Sequence, residues 1–279
     1  MSFVAVEKPR PHITLVTLNR PERMNAMSFD VMIPFREVLE EISHDNDTRV
    51  VVVTGAGRGF CSGADLTDSG TLPNIAGLTV PSISLRAMEL LDDVVLSIRK
   101  MHQPVIAAVN GAAIGGGFCL SLAFDIRVAA ESAYFRAAGI NNGLSSTELG
   151  LSYLLPRAIG SSRAFDIMLT GRDVDATEAD RIGLVSQVVP DEKLLETCYD
   201  VADRIIGWSR VGVEMAKRVL WSSLDASSLE AHMRHEGVAQ LYVRNLTGNF
   251  EEMIRARKEG RTPVYLDDVS QKTAPKKEA

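Results

Sequence analysis

The chain has 279 residues, a formal net charge of −6 and three cysteines; at roughly 100–200 residues per domain that is one large domain or two small ones. The acidic balance argues against a nucleic-acid partner or a charged membrane surface, and no run approaches the roughly 20 apolar residues of a membrane span. Cys61, Cys119 and Cys198 lack the spacing of a disulfide framework or a zinc site and no leader-like segment opens the chain, so a soluble protein of the reducing cytoplasm is expected.

In chain order, Val4–Glu7 and His12–Leu18 read as two strands, with a turn at Lys8-Pro9-Arg10-Pro11 and another in NRPE, residues 19–22. From Met27 onward a helix is predicted, capped by Ser28, with Val31, Phe35, Val38, Leu39 and Ile42 on one face and Pro34 expected to kink or shorten it. Val50–Thr54 is an apolar, β-branched strand that runs into GAGRGFCSGADL, residues 55–66. Residues 67–81 are rich in Gly, Pro, Ser and Asn without periodicity, which predicts a mobile loop over a site. A long amphipathic helix is predicted from Ser82 to Met101.

Pro104–Val109 then reads as a buried strand, followed by the run Gly115-Gly116-Gly117 and an apolar helical segment, Phe118–Phe124. Asp125–Ala130 and Ala133–Arg136 are short strands. The alternation of strand pairs and helices in the first half predicts a repeated ββα unit. In the second half, helices are expected over Thr147–Ile159, Ser161–Leu169, most of Asp191–Leu246 with a break near Ser209, and Asn249–Glu259. Residues 171–189 read as a turn, a short helix and a strand. The tail SQKTAPKKEA is polar and expected to be disordered.

Two strands therefore end in glycine-rich bends. A bend that opens a helix offers unpaired N–H groups and the positive end of the dipole, and glycine lets a ligand approach the backbone. An anionic oxygen suits such a place, and both bends could serve one oxygen. Common phosphate-binding patterns fail: Gly55, Gly57 and Gly59 are followed by Phe60 where a dinucleotide fingerprint needs its last glycine, and no GK[ST] follows a glycine run. There is no GxSxG and no HExxH.

Five stretches carry a resemblance: ITLVTLNRPERMNAMS, VVVVTGAGRGFCSGADL, KMHQPVIAAVNGAAIGGGFCLSLAFDIRVAAESAYF, LLPRAIGSSRAFDIMLTGRDVDATEADRIGLVSQVV and FEEMIRARKEG. In this order, over residues about 12–260, the chain resembles the enoyl-CoA hydratase/isomerase (crotonase) superfamily. The resemblance implies an α/β spiral of repeated ββα units of the ClpP/crotonase kind over residues 1–205, a helical trimerisation region over 206–267 and a disordered tail, 268–279. It implies an acyl-CoA substrate, no separate cofactor because coenzyme A is part of the substrate, no metal, and a homotrimer or dimer of trimers without nucleic acid or membrane.

The resemblance also assigns roles. The N–H groups of Ala64 and Gly116 would polarise the thioester carbonyl; the competing reading is that the glycines of the two bends only permit close strand–helix packing. Family hydratases carry one glutamate two residues after the glycine triplet and another twenty further on; Cys119 and Gly139 stand there. Cys119 is expected to pack as a small apolar residue. Glu148 falls where family isomerases carry their single acid, and could move a proton next to the thioester or merely complement a helix dipole. Substrate contacts would come from Arg23, Ser62, Gly63, Asp65, Leu66, Thr67, Gly115, Arg257 and Lys258, with Asp65 better suited to capping than to acting as a base. The implied reaction is double-bond migration, with water addition as the alternative and a non-catalytic CoA- or RNA-binding role as the reading of another class.

Overall fold

The computed structural model describes residues 3–268. The chain forms two compact units, Met1–Ala202 and the segment from Asp203 on. In the first, β1 (Val4–Arg10) and β2 (Ile13–Leu18) pair antiparallel. The first strand continues through Lys8 and Pro9 with a bulge, so the turn is confined to Pro11 and His12, with His12 left-handed at φ 64°.

The helix α1 (Phe29–His44) begins after Ser28 as expected, although the Ser28 hydroxyl makes no capping bond. Pro34 does not shorten it. Proline costs one backbone hydrogen bond there, but Val31, Met32, Phe35, Leu39 and Ile42 are all buried on the inner face, and that burial holds the helix through the gap.

Three ββα turns follow. The first comprises β3 (Val50–Gly55), β4 (Gly59–Cys61) and α2 (Val80–Lys100). The second is β5 (Val105–Val109), β6 (Ala112–Ile114) and α3 (Gly116–Ala123). The third is β7 (Ile126–Ala130), β8 (Tyr134–Arg136) and, after a single 3₁₀ turn, α4 (Leu151–Ile159). Next come α5 (Ser161–Thr170), β9 (Asp173–Asp175), α6 (Ala176–Arg181), β10 (Gln187–Val189) and α7 (Leu194–Ile206). The first strand of each turn joins a six-stranded sheet in the order β1-β2-β3-β5-β7-β10; the second joins a four-stranded sheet in the order β4-β6-β8-β9. Neighbouring turns pair parallel in both sheets. Every residue of β3 and β5 is buried, which is why these strands are unbroken apolar runs instead of alternating ones.

Boundaries differ from expectation where one residue's backbone decides. The loop after β4 ends at Thr79, because Pro81 sits in the first turn of α2, where its missing N–H has no partner to lose. The helix α3 starts at Gly116, two residues before the first bulky side chain. The strand β6, hidden in the alanines before the glycine run, was not expected. The helix expected from Thr147 starts only at Leu151, since Leu149 (φ 46°) and Gly150 (φ 81°) are both left-handed.

The second unit contains α8 (Arg210–Ser223), α9 (Leu229–Leu246) and α10 (Asn249–Glu259). The break near Ser209 is present, and Ser209 caps α8 through Gly212 N–H. A second break precedes Ser228, which caps α9 through Ala231 N–H. The segment 261–267 is tied back: Glu252 accepts from the Arg261 guanidinium and Val264 N–H, and Asn249 Nδ2 donates to Asp267 at 2.7 Å. The SQKTAPKKEA tail lies outside the described residues.

The inter-turn packing predicts a steep penalty at Gly117, where an added Cβ would lie 2.0 Å from the Cys61 carbonyl oxygen. Both are backbone-fixed, so relief requires moving α3 away from β4. Gly117→Ala is expected to lower stability by about 3 kcal/mol, the upper end of typical overpacking costs, read as a lower urea midpoint.

Candidate active site

The two glycine bends meet. The segment 62–65 leaves β4 and pairs with residues 24–27: Ser62 N–H donates to Met24 O, Met27 N–H to Gly63 O, and Asp65 N–H to Met27 O. This alternation turns the Ala64 N–H to the opposite side, and among the described residues it has no partner. Gly116 is the first residue of α3, so its N–H also has no acceptor among the described residues. The contact between the bends is close: a Cβ at Gly63 (φ 82°) would lie 2.6 Å from Ile114 O and 3.2 Å from Gly116 N. Gly115 (φ 50°, ψ −120°) makes the corner and donates its N–H to Arg136 O at 2.9 Å.

Glu148 lies beside this corner. A Cβ at Gly115 would be 3.8 Å from Glu148 Oε1 and 3.7 Å from the Ala138 methyl. The carboxylate is half-buried, and among the described residues it has no hydrogen-bond or ion-pair partner. Burial pushes its pKa above the usual 4.5. It does not serve a helix dipole, since α4 begins three residues later and it is the Glu148 carbonyl that accepts the Leu151 N–H.

Around these groups lies a cavity of about 360 Å³. Its lining includes the expected Ser62, Gly63, Ala64, Leu66, Gly115, Gly116 and Glu148, the last being its only carboxylate among the described residues. Met88 and Leu91 of α2, Met27, Leu144 and Leu149 supply apolar wall, and Arg136 and Asn142 polar wall. The sequence pointed to few of these. Met88 and Leu91 are three apart on an amphipathic helix, but nothing local says which stretch of that face borders a cavity and which borders core.

Other expected contacts fall elsewhere. Asp65 and Thr67 do not line the cavity: the Asp65 carboxylate pairs with Arg20 Nη1 at 2.9 Å and accepts from Thr67 N–H, Thr67 Oγ1 and Asp68 N–H. The bonds from Thr67 N–H, Thr67 Oγ1 and Asp68 N–H, with the nearby Arg23 charge, hold its pKa down at about 2, and they cap a turn, not a helix. Arg23 also stands outside the lining, half exposed and 4.0 Å from Asp65. Arg257 and Lys258 are exposed on α10 of the second unit. Cys119 is buried, donates to Glu148 O at 3.5 Å, and has its thiol pushed well above its ordinary pKa by burial, so it packs as a neutral small residue. At Gly139 a Cβ would lie 2.2 Å from Ser145 O; the loop leaves no room for a side chain. Among the described residues no group of three or more His, Cys, Asp or Glu could hold a metal ion, and no helix is long and apolar enough to cross a membrane.

Residues 10–267 match the family model described as enoyl-CoA hydratase/isomerase. The chain belongs to the enoyl-CoA hydratase/isomerase family. Its relatives in this family include a Mycobacterium bovis protein named a probable enoyl-CoA hydratase, 67% identical over 96% of this chain and 94% of that protein. A crystal structure of a probable enoyl-CoA hydratase/isomerase from Mycobacterium abscessus superposes with a TM-score of 0.93, at 67% identity, covering 96% of this chain and all of the other. A second, titled a monofunctional enoyl CoA isomerase from M. smegmatis, is 60% identical with a TM-score of 0.72 over 84% of this chain and 99% of its own. The chain is thus an enzyme of the crotonase superfamily, and the ββα spiral is the fold its neighbours share.

The unpaired Glu148 has a stability signature. Its folded pKa lies above that of the unfolded chain, so the folded state is penalised as pH rises through about 4.5 to the raised value, and the penalty persists above it. Glu148→Gln removes the charge and should unfold at a higher urea concentration than the parent at pH 7. The advantage should vanish at pH values where the parent glutamic acid is already neutral.

Proposed function

We propose that this enoyl-CoA hydratase/isomerase family member moves a double bond along an acyl-CoA. The thioester oxygen sits between the Ala64 and Gly116 N–H groups, which bind it more strongly as it gains charge. Glu148 takes a proton from the α-carbon, the electrons delocalise onto the thioester oxygen, and the protonated Glu148 delivers the proton to the γ-carbon as the dienolate collapses. No atoms are gained or lost. A raised carboxylate pKa suits both halves of this transfer. Acyl-CoA is the substrate, and no separate cofactor takes part.

The observation that carries this reading is that Glu148 is, among the described residues, the only carboxylate lining the cavity, set against two N–H groups without a partner there. At one position where family hydratases hold a glutamate, Cys119 is buried and neutral; at the other, Gly139 is closed by Ser145. Water addition would then rest on Glu148 alone. The assembly proposed is a homotrimer or dimer of trimers, which gives cover to the apolar side chains exposed on α9, among them Leu229, Met233 and Val238. Three buried free cysteines suit a cytoplasmic enzyme.

The deciding assay offers purified protein a 3-enoyl-CoA and crotonyl-CoA side by side. Isomerisation should dominate, and Glu148→Gln should reduce it by about 10²- to 10⁴-fold. Fast hydration that survives Glu148→Gln would overturn the assignment. The parent kcat/KM for isomerisation should rise with pH and level off above an apparent pKa higher than 4.5. For the N–H pair, spectroscopy is cleaner than mutation, because Gly116→Pro would delete the donor and also crowd Met27 Sδ, 2.3 Å from an added Cβ. An acyl-CoA labelled at its thioester carbonyl, bound to the Glu148→Gln protein, should show that carbonyl stretch lowered from its value in water.

A further inference from the structure

The sequence NRPERMNAMS, residues 19–28, supplies almost nothing to the cavity wall except Met27, yet its polar groups are concentrated behind the Ala64 bend. The Arg20 and Asp65 side chains are 9% and 4% exposed, and Arg20 Nη1 donates to Asp65 Oδ2 at 2.9 Å. Arg20 Nη1 also lies 3.4 Å from Ser28 Oγ, Nη2 3.5 Å from Asp68 Oδ2, and the guanidinium covers the Phe3 ring. Asn25, fully buried, fixes the far side of the same bracket: its Oδ1 accepts Arg20 N–H, and its Nδ2 donates to Ala56 O and Gly59 O.

Asp65 is the residue next to Ala64. Its backbone N–H is held by Met27 O, and its carboxylate is gripped by Arg20 on one oxygen and by Thr67 and Asp68 on the other. The Ala64 N–H belongs to the Gly63–Ala64 peptide, whose carbonyl accepts Met27 N–H at 2.7 Å; the bonds to Asp65 fix the next peptide, Ala64–Asp65, and so restrain residue 64 from its other side. Gly63, with φ 82°, has a permissive backbone, so the single Met27 bond to its carbonyl needs support from the Asp65 side. A donor that must already point at the developing charge requires such outside restraint, since any reorientation during reaction would subtract from the stabilisation.

We propose that the buried Arg20–Asp65 pair is a positioning device for the Ala64 N–H: Arg20 acts through Asp65, touching no substrate, to hold the donor aimed at the thioester oxygen. The inference rests on the oxyanion role given to Ala64 above, but not on Glu148 as the base.

The test combines kinetics with the carbonyl stretch. Asp65→Asn keeps the side-chain shape and weakens the pair; Arg20→Lys keeps the charge but loses the fork; Arg20→Met removes the charge. Expected for Asp65→Asn, at a temperature where it is fully folded, is a 10- to 100-fold fall in kcat with KM changed less than threefold. Placed in the Glu148→Gln background with the labelled acyl-CoA bound, Asp65→Asn should also lose at least half of the downshift of the carbonyl stretch. Arg20→Lys should recover part of both losses relative to Arg20→Met. Activity lost only in proportion to the unfolded fraction, with the carbonyl shift intact, would overturn the positioning role. If Asp65→Asn does not fold, Arg20→Lys alone decides: an unchanged shift overturns the proposal and a reduced one supports it. Failure of the underlying reading looks different, because then Glu148→Gln without further change would show no carbonyl shift. Failure of Glu148 as base would leave the shift and its dependence on Asp65 untouched.

Discussion

The close approach of two backbone bends governs this site. Residues 62–65 and 114–117 come so near one another that Gly63 has no room for a Cβ against Ile114 O, and Gly117 has none against Cys61 O. Side chains cannot mediate such a contact. It places two peptide N–H groups beside one cavity, with no polar side chain standing between them and the space they face, and leaves the cavity wall apolar apart from a few groups. Electrostatic stabilisation from fixed amides is strongest in such surroundings, where water does not compete for the donors.

The spiral supplies that approach. Each ββα turn sends its first strand to one sheet and its second to the other, so equivalent bends of successive turns stack in register. The bend after β4 and the bend after β6 are neighbours because their strands are neighbours. The third turn, after β8, contributes the 3₁₀ segment and the stretch ending in Glu148. Left-handed Leu149 and Gly150 then separate Glu148 from α4, which leaves its carboxylate at the bends instead of in a helical first turn. A non-glycine residue in that conformation costs about 1 kcal/mol or more, and Leu149 is buried, which offsets it. Carboxylate and amides therefore come from three consecutive repeats of one unit.

The residues that do no chemistry have their own logic. Charged groups near the site are engaged elsewhere: Asp65 with Arg20, Arg136 through Nε and Nη2 with Asp173. Glu148 is left without a counter-charge, and its pKa rises through desolvation alone. The contrast between Asp65, held down to about 2, and Glu148, pushed up, separates two carboxylates of the same region into a hydrogen-bonded structural anion and an unpaired group suited to the proton transfer proposed for it.

The sequence by itself determined the strands of the large sheet, the glycine bends and the family, because apolar runs, glycine clusters and motif order are local signals. It also indicated a repeated ββα plan. Only the tertiary structure decided what depends on distant backbone. Asp65 and Thr67, which the family resemblance offers as substrate contacts, bond to one another, and Asp65 also to Arg20. Gly139 looked like a vacant glutamate position, yet is closed by Ser145, six residues on. Met88, Leu91 and Arg136 joined the cavity without any local mark, and β6 emerged from a run of alanines because β4 and β8 lie on either side of it to pair with. Spacing along a chain records periodicity and conformational freedom; which face meets a cavity, and which charge meets a partner, is set by chain that returns from far away.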